Sequence, residues 1–198
     1  IQPYYLSRCA EIFAGSTVIP STVIGFPLGV HATSTKVAEA ERAIADGCQE
    51  LDMVVNISQV LSEHWDDVRT DIQAVIAPAH SANRKVKVIF ENCYLDDVHK
   101  IKLCEICGEL DADWVKTSTG FGSGGATIAD LKLMRQHVPS QVQVKAAGGV
   151  RSVDMIREVR SIPVTRIGTS GTKKLLDEWR LRLGLEPLVV SDVATDGY

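Results

Sequence analysis

The chain has 198 residues, 45% hydrophobic and 23% charged, an ordinary globular composition that can bury one sizeable core. Its formal net charge is −4 and its basic residues are scattered, which excludes an electrostatic footprint for nucleic acid. No apolar run reaches the roughly 18 residues needed to span a membrane.

Ile1-Gln2-Pro3 reads as the tail of a strand whose beginning is absent, and the opening residues lack the charged and apolar regions of a signal peptide. Tyr4 to Ala14 is expected as a helix with Leu6, Ala10 and Phe13 on one face. A strand over Thr22 to Phe26 turns away at Pro27-Leu28-Gly29. Ser34 to Asp46 has helical period through Val37, Ala40 and Ile44, with Gly47 as its cap. Glu50 to Val55 reads as a strand, almost wholly apolar except for Asp52, and an acid in such a run needs a partner or a polar mouth to point into.

Ser62 to Ala79 keeps helical register through Trp65, Val68, Ile72 and Val75, and Pro78 argues for a kink or an earlier end. Lys85 to Phe90 is a strand ending at Glu91-Asn92, and Asp96 to Gly108 a helix closed by its glycine. The short strand Trp114-Val115-Lys116 then dissolves into Thr117-Ser118-Thr119-Gly120 and the glycine-rich run to Gly125. Thr127 opens a helix with Ile128, Leu131 and Met134 as its buried stripe. The strand Gln141 to Ala146 carries Lys145 and ends in Gly148-Gly149-Val150-Arg151. Ser152 caps a helix through Val159. The strand Val164 to Gly168 leads through Thr169-Ser170-Gly171 into a helix to about Leu183. This divides the chain into a barrel domain, residues 1–185, and a tail, residues 186–198.

Strands centred near residues 24, 52, 88, 115, 144 and 166, each followed by a helix, predict an all-parallel α/β sheet. Two architectures fit. One is a TIM (β/α)8 barrel lacking the first β-α unit and most of the second strand. The other is an open doubly wound sheet. The stub at residue 1 favours the barrel, which as a fragment would carry two open edges.

Lys116 and Lys145 stand at strand ends in consecutive β-α units, side by side in the mouth. A lysine attacks a carbonyl only as the free amine, and a neighbouring cation lowers its pKa, so Lys116 is the candidate nucleophile and Lys145 its electrostatic partner. Two unrelated surface lysines, one of them a phosphate clamp, are the competing reading. Asp52 can pair with Lys145, either to relay protons or as a structural ion pair. The glycine loops after the Lys145 strand and after Gly168 precede helices, where bare N–H groups bind phosphate.

Gly120-Phe121-Gly122-Ser123-Gly124-Gly125 matches a dinucleotide fingerprint, yet the ribose-binding acid expected downstream is missing. The five cysteines are irregularly spaced, which suits reduced thiols in the cytosol, and Cys104 and Cys107 fall inside a helix as packing. The histidines are dispersed, with no zinc spacing; His64, His80, His99 and His137 are expected in solvent.

Several motifs then match one family in order: Val23-Ile24-Gly25-Phe26-Pro27-Leu28-Gly29, Glu50-Leu51-Asp52-Met53-Val54, Val115-Lys116-Thr117-Ser118-Thr119-Gly120-Phe121, Gly124-Gly125-Ala126-Thr127, Val144-Lys145-Ala146-Ala147-Gly148-Gly149-Val150-Arg151 and Arg166-Ile167-Gly168-Thr169-Ser170. From about Pro3 to Leu176 the chain resembles the deoxyribose-phosphate aldolases, class I (Schiff-base) enzymes. The resemblance implies a TIM barrel that cleaves 2-deoxy-D-ribose 5-phosphate reversibly to acetaldehyde and D-glyceraldehyde 3-phosphate, without metal or organic cofactor, in cytoplasmic deoxyribonucleotide catabolism. It implies an imine on Lys116, Lys145 depressing that lysine's pKa, and Asp52 holding Lys145. Gly120, Gly148, Gly149, Gly168 and Ser170 would surround the phosphate. Tyr198 is a candidate for a tail residue that dips into the site, and a homodimer is the expected assembly.

Three departures accompany the match. The family's first strand has no counterpart, only Ile1-Gln2-Pro3 remains of the second, and Asn92 stands where threonine is usual. A catalytically silent phosphosugar-binding paralogue and a phosphate-binding barrel isomerase are the competing functions.

Overall fold

The computed structural model of the chain describes residues 1–188; Tyr198 and the tail beyond Leu188 lie outside the described residues. Six parallel strands form one sheet: β1 (Ser21–Ile24), β2 (Glu50–Val54), β3 (Lys85–Ile89), β4 (Trp114–Lys116), β5 (Gln143–Ala147) and β6 (Arg166–Gly168). The spatial order is the chain order, with no reversal. A doubly wound sheet reverses at a switch point, so that alternative fails.

The sheet also curls. In a flat sheet β2 and β6 would stand about 19 Å apart, four steps of roughly 4.8 Å. Instead Arg166 Nη1 of β6 lies 2.5 Å from Glu50 Oε2 of β2. The architecture is a curled half-barrel with its helices outside. On the outer side of β1, the Ile1 ammonium donates to the Ser21 carbonyl at 2.8 Å and Thr22 Oγ1 donates to the Ile1 carbonyl, so the first residue covers part of that edge.

The helices are α1 (Leu6–Ile12), α2 (Thr33–Ala45), α3 (Ile57–Leu61), α4 (Trp65–Ser81), α5 (Asp97–Glu109), α6 (Ile128–His137), α7 (Val153–Ser161) and α8 (Thr172–Arg182). Apolar stripes on the longer helices close over the near-continuous apolar faces of β2 and β3 to make one core. Val68, Ile72, Val75 and Ala79 of α4 are buried as expected.

Four local expectations are corrected in whole or in part. The helix expected from Ser62 starts at Trp65, because Glu63 takes a left-handed backbone (φ 56°) and ends the short α3 that Asn56 caps. α4 runs through Pro78 to Ser81 without ending early. Gly108 is not a cap; α5 continues to Glu109, and a side chain at Gly108 would meet the Pro139 ring. On α2 Ala40 is buried and Ile44 packs on the core as expected, but Lys36 and Ala43 complete the buried stripe while Val37 is only half-buried.

Lys36 is the informative one. Its ammonium is fully buried, donating to Asp71 Oδ2 at 2.5 Å and to the Val54 carbonyl at 3.0 Å, while Thr33 bonds the other Asp71 oxygen. Burial pulls its pKa down against the pull of Asp71. The pair ties α2 and α4 to the carbonyl that ends β2, the strand carrying Asp52. His99 is likewise not in solvent. Its ring packs against Trp65 and Nδ1 pairs with Asp96 at 2.6 Å.

Candidate active site

Lys116 ends β4, and its register partner on β5 is Lys145. Adjacent strands in register put the two side chains on the same face of the pleat. That face is the inside of the curl. Asp52 lies two residues deeper, level with Lys87 of β3 in the ladder, and reaches up across the curl. Lys116 Nζ donates to Asp52 Oδ2 at 2.7 Å, and Lys145 Nζ donates to the same oxygen at 2.9 Å. The two lysine heads therefore share one acceptor atom.

The other carboxylate oxygen is engaged too. Lys87 Nζ donates to Asp52 Oδ1 at 2.8 Å and also lies 2.5 Å from Glu50 Oε2. Glu50 in turn accepts from Arg166. Trp114 stacks beside this lower layer, with Lys85, Lys87 and Arg166 between 4.8 and 5.4 Å from its ring. The inside of the curl thus holds four cations, Lys116, Lys145, Lys87 and Arg166, against two carboxylates, Asp52 and Glu50.

This excess decides the protonation states. Burial pushes the Asp52 carboxyl up, but Lys116, Lys87 and Lys145 outweigh it and hold it well below the usual carboxylate range. Glu50 is lowered in the same way by Lys87 and Arg166 against its own burial. Burial pulls the Lys145 ammonium down to about 8; Asp52 opposes the fall and the charge on Lys116 adds to it. Lys145 is therefore held nearer neutral pH than an ordinary lysine, on the same Asp52 oxygen that Lys116 binds.

Above the lysines opens a cavity of about 580 Å³ whose wall includes Lys116, Lys145, Gly120, Gly148, Gly149, Gly168 and Ser170. Every residue expected at the site, apart from Tyr198 and the deeper Asp52, meets at this one cavity. Two threads hold its rim. Thr117 Oγ1 donates to the Ala147 carbonyl at 3.0 Å and accepts from the Ala147 amide, lacing the ends of β4 and β5. The loop after β4 returns against the loop after β5 so closely that a Cβ on Gly125 would fall 2.5 Å from the Gly148 carbonyl. Only glycine permits that approach.

The far wall is Gly168-Thr169-Ser170-Gly171, which leads into α8, with Arg151 and Lys174 also on the lining. Unpaired N–H groups of a helix's first turn and two cations facing one cavity suit an anionic group such as phosphate. The dinucleotide reading of Gly120 to Gly125 has no support in this geometry, because the loop folds against Gly148 instead of opening a helix at once.

Lys87, Glu50 and Lys174 escape the sequence reading. Lys174 alone carried a usable signal, a basic residue in the first turn after a glycine-rich loop. Cys104 and Cys107 pack in the interior of α5, and burial drives the Cys104 thiol up to about 12, so the pair is inert packing as expected. Among the described residues no cluster of metal-ligating side chains occurs and no helix is long and apolar enough to cross a membrane.

A family model for DeoC/LacD family aldolases matches residues 8–180. Deoxyribose-phosphate aldolase of Rhodopirellula baltica is 58% identical over the whole of this chain, which spans 82% of that protein's length. Among solved structures, an aldolase called QR15 superposes with a TM-score of 0.85 at 37% identity, over 93% of this chain and 82% of its own. A tetrameric deoxyribose phosphate aldolase from Aeropyrum pernix gives 0.82 at 30% identity, over 90% and 75%.

Proposed function

The chain belongs to the DeoC/LacD family of aldolases, and we propose on that footing that it cleaves 2-deoxy-D-ribose 5-phosphate reversibly to acetaldehyde and D-glyceraldehyde 3-phosphate through an imine on Lys116. The observation that carries this reading is the shared contact of Lys116 and Lys145 with Asp52 Oδ2 beneath a cavity of sugar-phosphate size.

The chemistry follows from that contact. The free Lys116 amine adds to the aldehyde carbon of the ring-opened sugar, and the carbinolamine loses water to give an iminium. Removal of the C3 hydroxyl proton breaks the C2–C3 bond. Its electron pair moves into the iminium, which becomes an enamine, and D-glyceraldehyde 3-phosphate leaves. Protonation of the enamine carbon and hydrolysis release acetaldehyde and regenerate the amine. The iminium is the electron sink, so the reaction as proposed uses no metal or organic cofactor.

Lys145, with its pKa near 8, is the group suited to hand protons on and off. Asp52 keeps both lysine heads oriented. Gly120, Gly148, Gly149, Gly168 and Ser170 hold the 5-phosphate, with Arg151 and Lys174 adding charge. The proposed setting is deoxyribonucleotide catabolism in the cytoplasm, and the free cysteines support the location. Assembly as a homodimer or larger oligomer is part of the proposal, in line with the oligomeric A. pernix relative. A silent paralogue is disfavoured, because Asp52, Lys116, Lys145 and the glycine loops meet within the residues present.

The test is reductive trapping. Borohydride with acetaldehyde should leave an ethyl adduct on Lys116, read by peptide mass spectrometry, and Lys116→Leu should abolish it. A label on another residue, or none on folded protein, sinks the imine mechanism here.

A further inference from the structure

Glu91 sits just past the end of β3, outside the cavity, and its backbone is left-handed, φ 56° and ψ 61°. An L residue with a long side chain is strained in that region, where glycine and asparagine settle more readily. Glu91 is buried, and no lysine or arginine pairs with it among the described residues. Its two oxygens go to one residue: Oε1 accepts from the Thr119 amide at 3.1 Å and Oε2 from the Thr119 hydroxyl. That hydroxyl in turn accepts from the Phe121 amide at 3.0 Å. Gly122 packs onto the Glu91 carboxylate so tightly that a Cβ there would fall 3.0 Å from Cδ. The Phe121 ring meets Phe26 of the loop after β1 edge to face at 5.3 Å.

Thr119 and Gly120 form part of the cavity wall, on the loop that follows Lys116. A buried carboxylate normally recruits a cation. This one spends both oxygens on a single threonine of the β4 loop, at a backbone position that resists glutamate. We propose that Glu91 is a specificity-determining positioning residue: it clamps Thr119 so that Gly120 stays where the substrate's phosphate is gripped, while the lysine chemistry is left to β4 and β5. This inference rests on the aldolase reading and adds to it the residue that sets preference for a phosphorylated over an unphosphorylated sugar.

The experiment compares 2-deoxyribose 5-phosphate with 2-deoxyribose in wild type, Glu91→Gln, Thr119→Val and Thr119→Ser. Glutamine keeps one acceptor but cannot receive both Thr119 donors. Glu91→Gln should raise KM for the phosphorylated sugar by about tenfold, the factor expected for losing a charge-assisted hydrogen bond, and change kcat/KM for deoxyribose less than about twofold. Thr119→Val should reproduce that selective loss, and Thr119→Ser, which keeps the hydroxyl, should restore wild-type selectivity. Equal losses on both sugars, or unchanged selectivity in Glu91→Gln and Thr119→Val, overturn the proposal. If Glu91→Gln does not fold, the Thr119 pair decides by the same criterion. Acetaldehyde trapping on wild-type Lys116 separates the two ideas: its failure removes the aldolase reading, whereas trapping with unchanged selectivity removes only the role of Glu91.

Discussion

Lys87 bridges Asp52 and Glu50, with Nζ 2.8 Å from one carboxylate and 2.5 Å from the other, and it has no exposure to solvent. It is the joint between the lysine pair above and the Glu50–Arg166 pair below. Without Lys87, Asp52 Oδ1 loses its donor and Glu50 keeps Arg166 alone, so two buried carboxylates each lose a charged partner. Lys87→Met, close in volume, should therefore destabilise the fold by about 3 kcal/mol, measured by urea unfolding at neutral pH. It should also make Asp52 easier to protonate, so kcat should begin to fall at a higher pH on the acid side than in wild type. A variant as stable as wild type with an unmoved acid limb would show that Lys87 is passive filling.

Asp52 gives the matching acid prediction. Its folded pKa lies below its unfolded value, so its contribution to stability is complete above about pH 4, the ordinary carboxylate range, and is lost as pH falls through the folded value. Asp52→Asn should lower stability at neutral pH and flatten the loss below that range. Unfolding free energies that decline in parallel for both proteins would exclude Asp52 as a contributor.

Lys145 has the opposite sign from a lysine that gains a partner. Its folded pKa, about 8, lies below the ordinary lysine value of 10.5, so the unfolded chain binds more protons between those values and stability rises with pH across that window. The charged form thus costs about 3 kcal/mol at neutral pH. Lys145→Leu should be more stable than wild type at neutral pH and should lose the rise between pH 8 and 10. The same titration should appear as a limb near pH 8 in the wild-type rate profile. Lys145→Leu should lose that limb together with about 10²- to 10⁴-fold in kcat, the usual worth of a positioned proton donor. A variant that keeps both limb and rate would assign proton transfer to another group.

Much of this site is legible in residue types because its chemistry sits at strand ends. A lysine closing an apolar strand before a glycine loop announces a barrel mouth, and two in successive units announce a pair. Asp52 is legible as an acid where burial is otherwise complete. Lys87 is hidden because Lys-Val-Lys-Val alternation reads equally well as a half-exposed strand; only the curl turns that face inward. Glu50 is hidden because its partner Arg166 lies far along the chain, on a strand brought near by the curl. Glu91 leaves no trace at all, since nothing in the order of residues says that a glutamate will take a left-handed backbone. Helix ends fail for the same kind of reason: Glu63 breaks a run whose apolar period never falters.

The loop contacts give the last prediction. Gly125, Gly149 and Gly168 line or support the same cavity, but alanine meets a different obstacle at each. At Gly125 the new Cβ would fall 2.5 Å from the Gly148 backbone, which cannot yield without opening the rim. At Gly149 the space is open and only the positive φ of 76° resists, a strain of about 1–2 kcal/mol. At Gly168 the Cβ would sit at ordinary contact, 3.4 Å from Lys145 Cε, with no positive φ. Gly125→Ala should therefore lose activity and stability together. Gly149→Ala should lose stability by that modest amount and weaken phosphate binding. Gly168→Ala should keep its melting temperature and change kcat, because its nearest new contact is the Lys145 side chain and the others, Ala147 Cβ and the Ala146 carbonyl, lie at ordinary distance. Thermal unfolding alongside steady-state kinetics checks all three. If Gly168→Ala loses several degrees with kcat unchanged, the loop after β6 is framework, and Lys145 does not depend on the space that glycine leaves beside it.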